Sequence, residues 1–213
     1  MHLPKARLAA LALLTFASAP AAALPLISEV LYDADGSDDG HTFVELFGAP
    51  GTSLDGLTLE GVNGSNGDVG PRVALTGAIP ADGLFVVADQ TGGGTSFVAG
   101  ADLLANFDFQ NGPDAVRLVQ DGSVLDAVGY GEVGAGEVFA GEGGAAPDPP
   151  AGWSVARLFA DVDTDDNAAD FVALELPTPG AASFAAVPEP GSAIGMAVGL
   201  AGLALACRRR SAL

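Results

Sequence analysis

Through the middle of the chain, apolar and polar positions alternate with a period of two, and no long run of helical 3.6 period interrupts them. The alternation predicts strands at Leu26–Tyr32, Phe43–Phe47, Leu57–Glu60, Arg72–Leu75, Leu84–Ala88, Ala115–Gln120, Val124–Tyr130 and Ser154–Phe159. The breaks carry turn chemistry: Asp-Gly at 35–36, 55–56, 82–83 and 121–122, Asn-Gly at 63–64, 66–67 and 111–112. Ala115–Gln120 and Val124–Tyr130 flank Asp121-Gly122 and read as a hairpin with a tight turn. Short, evenly spaced strands without helices predict an all-β, antiparallel sandwich over residues 24–181, followed by a linker at 182–187. Gly131–Pro150 is rich in Gly, Ala and Pro and reads as a long loop or a partly disordered insert.

The two ends break this pattern. Residues 1–23 have the layout of a secretory signal peptide: Lys5 and Arg7 in a positive segment, an apolar stretch Leu8–Phe16, and small residues Ala21-Ala22-Ala23 suited to cleavage after Ala23. The tail has three parts in order. Val187-Pro188-Glu189-Pro190 comes first, an uncharged apolar run from Gly191 to Cys207 second, and Arg208-Arg209-Arg210 last. About 17 residues at about 1.5 Å each span about 26 Å, enough for a bilayer core, so a transmembrane helix over about 191–207 is expected. The arginines form a cytoplasmic stop under the positive-inside bias, which leaves the preceding domain outside. Gly191, Gly195 and Gly199 make a small-residue ridge that suits helix packing, and equally reflects the Gly/Ala composition of the segment.

The tail, over residues 188–210, resembles the PEP-CTERM sorting signal of exported bacterial proteins. The resemblance implies processing near Pro188-Glu189-Pro190 by an exosortase-type membrane protease. It also implies a membrane-anchored precursor that goes on to the cell surface or an exopolysaccharide matrix.

Composition narrows the functional classes. The whole chain has 27 acidic and 8 basic residues. Setting aside Glu189, Lys5, Arg7 and the three terminal arginines leaves a domain with 26 acids against Arg72, Arg117 and Arg157, a net charge of −23. Attraction to nucleic acid is excluded on charge, as is attraction to anionic lipid; divalent or basic partners are favoured. The chain's one cysteine, Cys207, lies in the tail, so an ordinary core and not a disulfide must hold the domain.

Candidate chemistry is sparse. His41, the domain's one histidine, sits in an acidic loop, with no Gly-x-Ser-x-Gly elbow and no His-Glu-x-x-His elsewhere. Glu29 and Glu45 lie on two predicted strands. They read as a carboxylate pair of glycosidase type, or as backbone caps or partners of Arg157. Two acidic loops place carboxylates at alternate positions, as calcium sites do: Asp33, Asp35 and Asp38, then Asp161, Asp163 and Asp165. The second loop has the first three ligand positions of an EF-hand, but Asp166 stands where glycine is required and Val172 where the bidentate Glu is required. Solvated loops closed by Asx turns are the alternative. No enzymatic activity and no obligatory cofactor are expected.

The order of segments is itself a pattern. Leu26–Tyr32 is followed by Phe43-Val44-Glu45-Leu46-Phe47, Ser53–Leu59, Ile79–Val87, Leu118–Gly131, Trp153–Arg157, Asp163–Phe171 and Pro177-Thr178-Pro179-Gly180. The series resembles the lamin-tail domain, with Gly48 standing where that family often has Asn. In that family the strands that match those of Glu29 and Glu45 lie near each other. The resemblance implies an immunoglobulin-like β-sandwich acting in adhesion, scaffolding or matrix interaction, with a surface protein or matrix polysaccharide as partner. A calcium-dependent polysaccharide binder and an accessory domain of a secreted hydrolase or nuclease are the other readings. A sugar binder needs an exposed aromatic platform, and Trp153 reads as core.

Overall fold

The computed structural model describes residues 24–181, which form ten strands and one short helix. Strands β1 (Leu26–Leu31), β2 (Phe43–Phe47), β5 (Leu84–Asp89), β6 (Leu103–Ala105), β9 (Ser154–Arg157) and β10 (Phe171–Leu174) make one sheet, in the order β10-β9-β1-β2-β5-β6. Strands β3 (Leu57–Asn63), β4 (Val69–Ala74), β7 (Asp114–Gln120) and β8 (Ser123–Tyr130) make the other, in the order β4-β3-β7-β8. Pairing is antiparallel except between β5 and β6, which run parallel, so the antiparallel expectation fails at that edge. The expected signal peptide, the expected linker at 182–187, and the tail with its expected transmembrane helix lie outside the described residues. Among the described residues, no helix is long and apolar enough to cross a membrane.

The period-two pattern works as sheet geometry requires, because successive side chains point to opposite faces. Ile27, Val30, Val44, Leu46, Phe85 and Val87 of one sheet meet Leu59, Val73, Val116, Leu118 and Val128 of the other in a single buried core. A smaller cluster of Leu31, Phe43, Val86 and Ala88 lies on the opposite, outer face of the six-stranded sheet, with Val98 and Ala101 packed on it. The β7–β8 hairpin turns at Asp121 (φ 50°) and Gly122 (φ 79°), between Gln120 and Ser123. Two consecutive left-handed residues match the right-handed twist of the flanking strands, which explains the Asp-Gly pair.

Two β-bulges decide where polar side chains go. In β1 the register slips at Ser28, so Ile27 opposes Leu46 while Glu29 opposes Glu45. Without the extra residue, Ile27 and Glu29 would share a face. With it, Ile27 stays in the core and Glu29 turns to the outer face beside Glu45. In β8 the slip at Leu125 leaves Asp126 opposite Leu118, on the face that points between the sheets.

Residues 131–150 form a long loop held against the domain, not a disordered insert. Val138 donates to the Gly64 carbonyl, Ala146 to the Gly129 carbonyl, and Asn167 to the Glu142 carbonyl. The loop lies so close to β8 that a Cβ at Gly141 would stand 2.4 Å from the Gly129 nitrogen. Only glycine fits there. Helix α1 (Asn167–Asp170) follows, capped by the Asp166 side chain, which accepts from the Ala168 N–H.

Candidate functional site

Three polar arrangements stand out, and the first is a buried arginine hub. Arg157 projects from β9 into the inter-sheet space with no side-chain exposure. Its Nη2 donates to both oxygens of Asp126 at 3.1 and 3.2 Å, and its Nη1 to Asp170 Oδ2 at 2.9 Å and to the Val162 carbonyl at 3.0 Å. Nε donates to the Ile27 carbonyl at 3.1 Å, and Asp163 Oδ1 lies 3.4 Å from Nη1. The guanidinium also stacks over Phe171, 4.6 Å from the ring centroid. Asp126 in turn accepts from the Ile27 N–H, 99 positions away in sequence. The hub therefore ties β8 of one sheet to β1, β9 and α1 beside the other. Arg157 pairs with these aspartates and not with Glu29 or Glu45, which corrects that expectation. The physical reason is that Glu45 alternates outward between the core residues Val44 and Leu46, and the Ser28 bulge turns Glu29 to that same outer face.

Asp163 is thus a hub residue. Its Oδ1 also accepts from the Asp165 N–H, and Asp165 sits at φ 56°. Asp161 is half-buried and Asp165 exposed in the same loop. Asp126, Glu142 and Asp163 each offer a carboxylate oxygen, all within 4.8 Å of one another. Arg157 already supplies a cation to two of the three. Burial pushes Glu142 up to about 7, helped by the charges of Asp126, Asp163 and Asp165. Its Oε2 is buried without a hydrogen-bond partner. Burial also raises Asp126, against the pull of Arg157. The other acidic loop closes on itself. Asp38 Oδ1 accepts from the Ala34 N–H at 2.7 Å, the Asp33 carbonyl accepts from the Gly152 N–H, and Asp35 is exposed. Burial raises Asp33, with Asp38 and Asp148 adding to it.

The second arrangement is a carboxylate clasp. Glu29 and Glu45 are directly opposed on β1 and β2, and each is 1% exposed. Glu29 Oε1 accepts from Ser154 Oγ at 2.6 Å and from the Thr178 N–H at 2.9 Å; its Oε2 accepts from Thr178 Oγ1 at 2.8 Å. Glu45 accepts from Ser28 Oγ and from the Gly180 N–H, both at 2.8 Å. Among the described residues neither glutamate has an ion pair; Arg72 and Arg117 both pair with Glu60. Burial pushes Glu45 up to about 7, offset in part by Ser28 and Gly180 and reinforced by Glu29 and Asp82. Burial raises Glu29 as well. The pair spends its acceptors on the segment Thr178–Gly180, so the backbone-capping reading fits its geometry.

The third is a cleft of about 260 Å³ between the β3–β4 hairpin and the 108–115 segment, with Asn63, Asp68, Asp108 and Asp114 set among Phe109 and Tyr130. A neighbouring hollow of about 230 Å³ shares Asn63, Gln110 and Asp114. Elsewhere, His41 is exposed and stacks on Phe97, with centroids 4.3 Å apart, and Phe97 is 67% exposed. Trp153 is half-buried.

Residues 186–210 match the family described as the PEP-CTERM protein-sorting motif. The chain carries an exosortase sorting tag. The tag spans Val187-Pro188-Glu189-Pro190, the apolar run and Arg208-Arg209-Arg210, and it implies an exported, membrane-anchored precursor that exosortase processes. No curated protein and no solved structure matches the chain.

Sequence reasoning did not find Asp126, Asp170, Glu142 or Asn167. Asn167 accepts from the Gly129 and Glu142 N–H groups and donates to the Ala127 carbonyl, standing in for a missing strand partner of β8. One signal was available for Asp126, a lone acid inside the otherwise apolar strand Val124–Tyr130.

Proposed function

We propose that this chain is a surface or matrix interaction module, a lamin-tail-type, immunoglobulin-like sandwich delivered by its sorting tag and cleaved near Pro188-Glu189-Pro190. The match at 186–210 carries the delivery part of this reading. The sandwich is the cargo, and its role is adhesion or scaffolding with a surface protein or matrix polysaccharide, not catalysis. The use of its buried ionisable groups supports this. Arg157, Asp126, Asp170, Glu29 and Glu45 all spend their hydrogen bonds on the fold. The test is expression of the full chain in hosts with and without the sorting protease, reading mature mass and cell fraction. Tag loss that requires the protease is the expected result. An intact chain in the inner membrane of both hosts overturns the reading.

A second reading, a polysaccharide binder assisted by calcium at the Asp161–Asp165 loop, draws on the exposed Phe97–His41 stack. That stack is an aromatic platform of the kind sugar rings pack on, and its signal in the sequence is too diffuse to find. Gel retardation in matrix polysaccharide, with and without calcium, tests it. Phe97→Ala is expected to abolish retardation while changing stability by less than about 0.5 kcal/mol. Equal retardation of the variant removes the platform from consideration.

A further inference from the structure

The segment held by the clasp is the last part of the domain before the tag. Thr178 and Gly180 are fixed by Glu29 and Glu45, and the Ala181 N–H closes a turn onto the Thr178 carbonyl. Between Gly180 and Pro188 stand only residues 181–187. Fully extended, seven residues reach about 25 Å. A domain of this size has a radius of gyration of about 15 Å. The docked strap therefore holds a bulky sandwich close to the chain that a membrane protease must take hold of. With the strap released, 13 residues, 175–187, separate β10 from Pro188, which raises the upper bound to about 45 Å.

We propose that Glu29 and Glu45 are positioning residues for sorting cleavage: by clasping Thr178–Gly180 they cut the greatest reach between domain and tag from about 45 Å to about 25 Å and so restrain access to the tag. This rests on the sorting reading above. Its own support is geometric. Two strap N–H groups and one strap hydroxyl are the donors that two buried, cation-free carboxylates face, and the Ser28 bulge aims one of those carboxylates. The other groups around the pair are the hydroxyls of Ser28 and Ser154 and the carboxylate of Asp82. Among the described residues the strap meets the two carboxylates through N–H and O–H bonds, which open without breaking an ion pair. Opening it leaves the core cluster intact, since Thr178 and Gly180 are not part of it.

The experiment uses the full-length chain. Thr178→Val with Gly180→Pro deletes one strap hydroxyl and one strap N–H, and proline cannot adopt the φ of 77° found at Gly180. Neither change replaces a glutamate or a core residue. Hydrogen exchange on the purified precursor is expected to show the Thr178 and Ala181 amides exchanging at least about tenfold faster in the variant, the scale on which losing a net hydrogen bond shifts an opening equilibrium. Pulse-chase in the protease-bearing host is expected to show the variant precursor cleaved at least about twofold faster, the scale on which tether length alters encounter. Faster exchange with cleavage equal to or slower than wild type overturns the tether role. Unchanged exchange overturns the clasp. A wild-type chain that is never cleaved overturns the sorting reading, and the tether role with it; that outcome is distinct from a cleaved wild type matched by its variant.

Discussion

The hub and the clasp are both buried groups of acids, and they solve burial in opposite ways. Around Arg157 the acids share a guanidinium that donates to Asp126, Asp170 and two backbone carbonyls, so charge is neutralised where it lies. In the clasp, Glu29 and Glu45 face each other across two strands and have only N–H and O–H donors. Burial disfavours a charge unless it is paired. The hub therefore keeps its charges at a structural joint between sheets. The clasp instead has a group poised near neutrality, next to a segment that can leave. Buried carboxylates alone do not indicate chemistry; what they face decides whether they act as a rivet or a latch.

Removing the hub's cation breaks the comparison most severely. Arg157→Met leaves Asp126 and Asp170 buried without a counter-charge, and a loss of about 3–5 kcal/mol is expected in urea unfolding. A loss under about 1 kcal/mol would mean that the aspartates are held by N–H donors, as in the clasp. Next in size is Asn167→Ala, beside the hub. It strands the Gly129 and Glu142 N–H groups and the Ala127 carbonyl. About 1–3 kcal/mol is expected, with faster exchange at the Gly129 amide.

The clasp is expected to answer to pH more steeply than the hub's rim. Burial in the folded domain raises Glu45 from an ordinary 4.5 to about 7, against the pull of the Gly180 N–H. A raised acid lends stability that is full below its unfolded value and lost as pH rises through its folded one. Urea stability should therefore lose the Glu45 contribution as pH rises from about 4.5 through about 7. Glu45→Gln should flatten that fall, and an unflattened curve would place the titration elsewhere. The smallest effect is expected from Glu142→Gln at the hub's rim. That group is also raised to about 7 but is only partly buried, so the change should remove a shallower part of the decline between pH 5 and 8.

Much of the fold was legible in the alternation. β2 has the predicted limits, and β1, β5, β7 and β8 differ from expectation by a residue at one end. β3 and β4 extend beyond the prediction through Asn63 and from Val69, because the β3–β4 pairing runs on past the Gly61 bulge. β6 was not legible, since three residues are too short to show a period. β10 was hidden as well, since Phe171–Leu174 follows directly on the acidic turn and α1. Of the polar arrangements, Glu29 and Glu45 could be picked out as neighbours, but their partners could not. Those partners lie 149 and 135 positions away, and Glu29 faces its own only because of the Ser28 bulge.

By itself the sequence determined what depends on local order and period. That covers the strands, whose alternation is a property of the backbone, the Asp-Gly hairpin, whose turn demands left-handed residues, and the tag, whose three parts stand in line. Tertiary structure alone decided which acids meet the buried arginine and which meet the strap. Those choices hang on two one-residue register slips, and a slip of one residue moves a side chain to the other face of the sheet.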